Sequence, residues 1–258
     1  MDSQEIKDRT ELRQARNELV VKHNDLLRKS RYTLSSTEQK IIIYLISKIH
    51  ADDKELKPID IDIKEFCSVA NIQLNGEAYN RIKGKIKSIA DKSWWLSSGE
   101  NKEKEILFRW IDEAEIEKGN GVITLGLSKH LQPYLIELKR DFTRYELINI
   151  LTLKSKYSIR LYELLKSYLW QGYWQVSIDE LRELLEIGDK YQEFKEFKRR
   201  VLNPTIKEIN DYTDLQVEFN TLKKGRIINK IEFSIEEKLG YQMVMPVLEK
   251  QKERLGDE

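Results

Sequence analysis

Ser177-Ile-Asp-Glu180 opens the stretch that decides the fold, which continues through Gly188 to Tyr191-Gln-Glu-Phe-Lys-Glu-Phe-Lys-Arg-Arg-Val-Leu202 and Asn203. Ser177 and Glu180 have the spacing at which a hydroxyl and a carboxylate cap a helix start reciprocally, so a short helix is expected over Asp179 to Glu186. Gly188 supplies the turn. Tyr191 to Leu202 then reads as a second helix with Phe194, Phe197 and Val201 facing inward. At about 100° per residue, Gln192, Lys195, Glu196, Arg199 and Asn203 project from the opposite side. Downstream, Leu215 to Phe219, the basic turn Lys223-Lys224-Gly225-Arg226 and the alternating Ile227 to Ile235 read as a hairpin. Upstream, Tyr173 to Ile178 is a short strand, preceded by a helix from Ser155 to Trp170 with Leu161, Leu164, Leu165, Tyr168 and Leu169 on one face.

The same order of elements stands in the first half of the chain. Ser35 to Glu38 is a capping box before the apolar run from Ile41 to Ile49. Ile59 to Ile63 alternates like a strand, Asp62 and Glu65 cap a helix over Lys64 to Ala70, and Asn71 to Gly76 is a turn. Glu77 to Asp91 forms a helix with Ile82, Ile86 and Ile89 inward. Trp94 to Leu96, Ile106 to Ile111 and Val122 to Leu127 make a β-ribbon with a Gly119-Asn120-Gly121 turn, closed by a helix from Ser128 to Leu138. The two capped starts, Asp62 and Ser177, lie 115 residues apart, and Gly76 and Gly188 lie 112 apart, as a duplicated unit requires. Glu11 to Lys29 reads as one amphipathic helix with Leu12, Leu19 and Leu26 in a stripe, which either packs on the core or pairs as a short zipper. The expected fold class is α+β, mostly helical, with two tandem winged-helix domains, each a helix-turn-helix followed by a β-hairpin wing. Their expected bounds are 11–140 and 141–237, followed by a polar tail over 238–258.

Of 258 residues, 40% are apolar and 34% charged, enough for two packed units, and 45 basic against 44 acidic residues leave a net charge of +1. Attraction to a polyanion must therefore arise from local clustering. The single cysteine, Cys67, precludes an internal disulfide, and with no secretory start or apolar run near the roughly 20 residues of a membrane span, a cytoplasmic location with no membrane partner is expected. Three histidines, His23, His50 and His130, provide no metal cluster, and no glycine pair has phosphate-loop spacing before Lys and Ser or Thr. No catalytic residue, cofactor or metal is expected, and the chain is not read as an enzyme. Trp94 and Trp95 are suited either to stacking on bases or, as the alternation favours, to packing.

A helix-turn-helix places its second helix in a DNA major groove. Lys190 to Lys207 carries six basic and two acidic residues. Lys195 and Arg199 suit the guanine acceptors, and Gln192 and Asn203 suit adenine, so these four are the expected base readers. Lys198 and Arg200 flank the stripe towards phosphates, and Lys223, Lys224 and Arg226 put a wing against the backbone. In the first unit the outward face of the second helix carries Asn80, Gly84, Lys87 and Ser88, flanked by Arg81 and Lys83, and Asn80, Arg81, Lys83 and Lys87 are its expected DNA contacts. The first hairpin differs: Glu100 to Lys118 has seven acidic and four basic residues, a poor DNA wing and a better protein contact. Chemistry alone leaves a transcriptional regulator or a dimeric interaction scaffold as alternatives.

Ser155-Lys-Tyr-Ser-Ile-Arg160-Leu-Tyr-Glu-Leu-Leu165, the run Tyr191 to Asn210 with its Leu202-Asn203-Pro204-Thr205, and Lys223-Lys-Gly-Arg226 through Ile231-Glu-Phe-Ser-Ile235 resemble the iteron-binding plasmid replication initiators. More loosely, the resemblance covers Asn17 to Glu237. It implies a non-catalytic initiator that binds direct repeats at its origin, promotes melting of an adjacent A·T-rich region and recruits a host initiator ATPase and replicative helicase. It also implies a homodimer, formed through the N-terminal domain, that binds an inverted repeat at its own promoter. By position it makes Tyr191 to Leu202 the main base reader, Glu77 to Asp91 a second contact, and Arg160 a phosphate ligand. The acidic first hairpin departs from a DNA-contacting wing.

Overall fold

A computed structural model describes residues 3–50, 52–73, 75–98, 104–117 and 121–241 of the chain. The expected single helix over Glu11 to Lys29 is instead α1 (Ser3–Arg16), strand β1 (Leu19–His23) and α2 (Asn24–Lys29). Val20 and Val21 favour an extended backbone, and β1 pairs antiparallel with β7 (Phe142–Glu146), burying Val20 and leaving Leu19 exposed. Leu12, Leu19 and Leu26 thus share no helical stripe. His23 ends the strand and caps α2, its Nδ1 accepting the Asp25 N–H at 3.1 Å. The Arg16 side chain is buried and pins α1 to the end of the helix Ile63–Val69, donating to the carbonyls of Val69 (2.9 Å) and Ser68 (2.7 Å).

The first unit runs α3 (Ser36–Ser47), β2 (Ile59–Asp62), α4 (Ile63–Val69), α5 (Ala78–Ala90), β3 (Ser93–Ser98), β4 (Lys104–Arg109), β5 (Ile111–Ile116) and β6 (Val122–Leu127). α3 starts with the anticipated box: Ser35 Oγ accepts the Glu38 N–H and Glu38 Oε2 accepts the Ser35 N–H at 2.7 Å. The single ribbon expected after α5 proves to be two hairpins. β3 pairs with β4, with one further bridge from Leu96 to Ser30, whereas β6 pairs with both β2 and β5 in the order β2-β6-β5. Buried Trp110 separates the hairpins and carries the chain from one sheet to the next. Of the anticipated turn, Gly119 and Asn120 lie outside the described residues, and Gly121 holds φ +75°. The helix expected over Ser128 to Leu138 shrinks to a 3₁₀ turn, Lys129–Leu131, and α6 (Gln132–Leu135); Ile136 is extended and Glu137 has φ +53°, which ends it.

α7 (Leu147–Leu151) follows β7 and leads to the second unit: α8 (Lys156–Tyr168), β8 (Tyr173–Ser177), α9 (Ile178–Leu184), then α10 (Phe194–Phe197), a π-helical turn over Lys198–Leu202, α11 (Asn203–Tyr212), β9 (Leu215–Lys224) and β10 (Ile227–Glu237). Its sheet order is β8-β10-β9. Strand for strand this repeats β2-β6-β5, so both units are winged helices and β3–β4 is an insertion peculiar to the first. Lys238 to Tyr241 follow β10, and the rest of the expected tail lies outside the described residues.

One apolar cluster runs through both units, from Ile41 and Phe66 to Leu161, Phe197 and Phe233. At its centre lies a charged knot. Lys22 Nζ of β1 meets Glu163 Oε1 of α8 at 2.6 Å, both side chains being at most 2% exposed, and the Tyr145 hydroxyl of β7 donates to the same oxygen. Burial lowers the Lys22 ammonium below its usual range although Glu163 opposes this, and burial with the Glu163 charge raises the Tyr145 phenol well above its own. The knot ties the strand preceding the first unit to the first helix of the second. The β1–β7 pairing likewise joins the chain across the boundary expected between 140 and 141.

Candidate nucleic-acid interface

Local chemistry shapes the second helix-turn-helix. Ser177 Oγ accepts the Glu180 N–H at 3.1 Å and starts α9, and Glu186 (φ +51°) and Gly188 (φ +60°) turn the chain. The Arg182 guanidinium braces that turn by donating to the carbonyls of Gly188 (3.0 Å), Lys190 (2.7 Å) and Tyr191 (2.7 Å), while lying 5.5 Å from the Phe197 ring. The helix expected from Tyr191 begins only at Phe194, because Tyr191 has φ +54°, outside the right-handed helical region. Gln192 consequently lies off the helix and its Nε2 donates to the Asp189 carbonyl at 3.0 Å, which corrects its place on the projected stripe.

Lys195, Lys198, Arg199, Arg200 and Asn203 are all exposed, with Phe197, Val201 and Leu202 buried behind them. The helix continues ten residues past its expected end. Pro204 has no N–H for the Arg200 carbonyl and its ring would crowd that carbonyl. The chain responds with a wider turn, in which the Asn203 N–H bonds the Lys198 carbonyl five residues back. Arg199 and Arg200 sit on this turn. Glu196 holds Arg199 through two contacts, 3.2 Å to Nε and 2.7 Å to Nη2, and approaches Arg200 at 3.8 Å. The Arg199 hydrogen bonds lower the Glu196 carboxyl below the usual range and Glu196 raises the guanidinium.

The wing is fixed to the same helix. Asn210 accepts the Val217 N–H at 2.8 Å and donates to its carbonyl at 2.9 Å, so the end of α11 sets where β9 starts. Lys198 Nζ lies 5.5 Å from the Phe219 ring of β9. Gly225 takes φ +66° in the two-residue turn between Lys224 and Ile227, exposing Lys223, Lys224 and Arg226. The helix and the wing are thus fixed to one another, and each carries exposed basic side chains.

In the first unit Asp62 Oδ1 accepts the Glu65 N–H at 2.9 Å to start α4, Asn71 turns the chain with φ +51°, and α5 buries Ala78, Ile82, Ile86 and Ile89. Asn80, Arg81 and Lys87 are exposed and Lys83 is half-buried on its outer side, with open space around Gly84. β5, the edge strand of the first wing, exposes Asp112, Glu113 and Glu115.

Arg160 does not join either surface. Its side chain is 4% exposed and donates to the carbonyls of Leu184 (3.2 Å) and Ser30 (2.8 Å) while its guanidinium stacks 4.8 Å from the Tyr32 ring. A buried guanidinium that joins the linker after α2 to the end of α9 is a structural strut, which overturns the expected phosphate contact. Trp94 stacks on Phe108 in the core, whereas Trp95 is exposed beside Leu107 on the inserted hairpin. Sequence reasoning missed Arg182 and Asn210, whose roles come from long-range backbone carbonyls and amides that no local pattern reveals. Among the described residues no group of histidine, cysteine and carboxylate side chains could hold a metal, and no helix is long and apolar enough to cross a membrane.

Comparison with known proteins gives an independent view. The family model described as Initiator Replication protein, WH1, matches residues 19–166, and that described as Initiator Rep protein, WH2, matches residues 177–235. A replication initiation protein of Escherichia coli is 27% identical over 229 residues, covering 85% of this chain and 70% of that protein. The PI protein of Escherichia coli is 31% identical over 154 residues, 53% of this chain and 50% of that protein. The crystal structure of Pi initiator protein in complex with iteron DNA superposes with a TM-score of 0.70 at 24% identity, covering 86% of this chain and 98% of that one, a likeness of fold.

Proposed function

This chain belongs to the initiator replication protein family, and from that premise we propose that it binds the direct repeats of its own plasmid origin, reading bases with α10 and its π-helical turn. The observation that carries this is that Lys195, Arg199 and Asn203 and the wing-tip Lys223, Lys224 and Arg226 are all exposed, on a helix and a hairpin that Asn210 fixes to one another. Lys195 and Arg199 read guanine edges, Asn203 reads adenine, and Lys198, Arg200, Lys223, Lys224 and Arg226 hold phosphates. Gln192, off the helix, serves the turn and reaches a base only at its start. In the first unit Asn80, Arg81, Lys83 and Lys87 provide the second contact. Asp112, Glu113 and Glu115 on β5 repel phosphate, so the first wing meets protein.

Origin melting, recruitment of a host initiator ATPase and replicative helicase, and repression of its own promoter by a dimer formed through the first unit complete the proposal. They rest on family membership. The test is binding to DNA flanking the coding sequence against random competitor at about 150 mM salt, where sequence-independent binding is weak. Complexes that step up with each direct repeat are expected; a single complex on an inverted repeat points to a repressor alone, and no specific complex overturns the reading.

A further inference from the structure

A cavity of about 250 Å³ opens where α1, α3, the end of α4 and the segment from α7 to Lys154 converge, and the DNA reading makes no use of it. Its apolar wall is Val69, Ala70, Ile148 and Leu151, each at most 6% exposed. Its polar side is cationic: Arg16, Lys40 and Lys154 line it, and among the described residues no carboxylate does. Backbone carbonyls of the apolar wall hold two of these cations in place. Arg16 Nε donates to the Val69 carbonyl at 2.9 Å, and Lys40 Nζ to the Leu151 carbonyl at 2.7 Å. The second bond caps the end of α7 and uses one of the three N–H bonds of the ammonium. Lys40 has no other acceptor among the described residues. Burial lowers its ammonium to about 8, with the Glu208 charge opposing and the Lys154 charge adding. The Glu208 carboxylate is itself engaged, accepting the N–H groups of Lys154 at 2.6 Å and Ser155 at 3.4 Å. A half-buried cation with donors to spare, beside an apolar wall, is suited to an organic anion.

We propose that this cavity binds a small organic carboxylate, its charged end on Lys40 and its apolar body against Val69, Ala70, Ile148 and Leu151. A water-sized atom takes about 30 Å³ of a liquid, so the cavity holds about eight non-hydrogen atoms, the size of hexanoate. Asn71, whose φ of +51° turns the chain towards α5, lines the same cavity. So does Thr152, whose hydroxyl donates to the Tyr212 carbonyl at the end of α11 at 3.0 Å. An occupant therefore ties the turn before the first reading helix to a segment anchored on the second unit. The site goes beyond the DNA reading and does not depend on it.

Hexanoate, hexanol and acetate are each titrated into the methyl-labelled full chain and followed by NMR. Hexanoate is expected to bind with a Kd of about 1 mM or tighter. It should shift the methyls of Val69, Ala70, Ile148 and Leu151 and spare those of Val21, Ile46 and Ile49, which line a separate recess. Hexanol lacks the charge and acetate the apolar body, and each is expected to bind more weakly by about tenfold or more. Lys40→Met keeps an apolar side chain of similar length but removes the ammonium. It is expected to lose about tenfold in hexanoate affinity and to leave hexanol binding unchanged. The proposal is overturned by shifts centred on the other recess, by hexanol or acetate matching hexanoate, or by the absence of saturable hexanoate binding. A folded Lys40→Met with native hexanoate affinity overturns it too. The comparison of probes uses the native chain, so it decides the matter even if that variant fails to fold. DNA enters none of these measurements, and either result leaves the DNA reading as it stands.

Discussion

Arg199 is both presented and restrained by its surroundings. Its two contacts with Glu196 fix the guanidinium at the helix surface, so DNA must compete with a carboxylate for the same donors. Replacing Arg199 with alanine should cost about 1 to 3 kcal/mol on the specific repeat and relax selectivity at one base pair. Equal losses on specific and random DNA would remove Arg199 from the base readers. Glu196→Ala should act oppositely, raising affinity for random DNA several-fold and narrowing the ratio of specific to random binding. Lys224, at the wing tip with no anionic partner among the described residues, should on conversion to alanine weaken all duplexes alike and flatten the salt slope by about 0.9. Arg160 is the counterexample at this scale: residue type and motif position put it on DNA, and burial makes it a strut between Ser30 and Leu184.

Two elements show how one residue resets a helix. Pro204 forces the π-helical turn that seats Arg199, Arg200 and Asn203, and α11 then carries the wing through Asn210. Pro204→Ala restores an N–H for a regular α-helical bond, which should maintain or raise the melting temperature while re-phasing the face. Specific DNA binding should fall at least tenfold, about 1.4 kcal/mol; unchanged binding would show that the wide turn is incidental. At α3, burial disfavours the Glu38 charge, but hydrogen bonds from Lys92, the Ser35 N–H, Ser88 and the Ser35 hydroxyl outweigh it and hold the carboxyl at about 2, against 4.5 ordinarily. A depressed folded-state value means the contribution to stability is present above the unfolded value and lost as pH falls through the folded one. Unfolding free energy should therefore decline between about pH 5 and pH 2, and Glu38→Gln should be less stable at neutral pH with a shallower decline in a denaturant titration series.

Across the whole molecule, the Lys22–Glu163–Tyr145 knot and the Arg160 strut bind the N-terminal strand, the linker after α2 and the second unit into one packed body. Removing one partner of a buried ion pair strands the other, so Lys22→Met should cost about 3 to 5 kcal/mol in chemical denaturation, whereas Lys22→Met with Glu163→Leu should recover part of it. If the double variant is as unstable as the single one, shape rather than stranded charge sets the cost.

Ser35, Asp62 and Ser177 cap helices where their spacing to Glu38, Glu65 and Glu180 says they must, and Ile82, Ile86, Ile89, Phe197 and Val201 face the core as their periods require. Those interactions span three or four residues, so the sequence by itself determined the two helix-turn-helix units and the basic hairpin of the second, whereas the acidic first hairpin, expected as one ribbon, is divided between β3–β4 and β5–β6. Tertiary structure alone decided the rest. Whether Leu19 to His23 is helix or strand depends on a partner more than a hundred residues away at Phe142 to Glu146; Arg160 is a strut because Ser30 and Leu184 converge on it; and Lys92 reaches Glu38 only where the fold lays α5 against α3. Each depends on long-range burial and backbone pairing, whose free energy exceeds local propensity and leaves no periodic trace in the residues themselves.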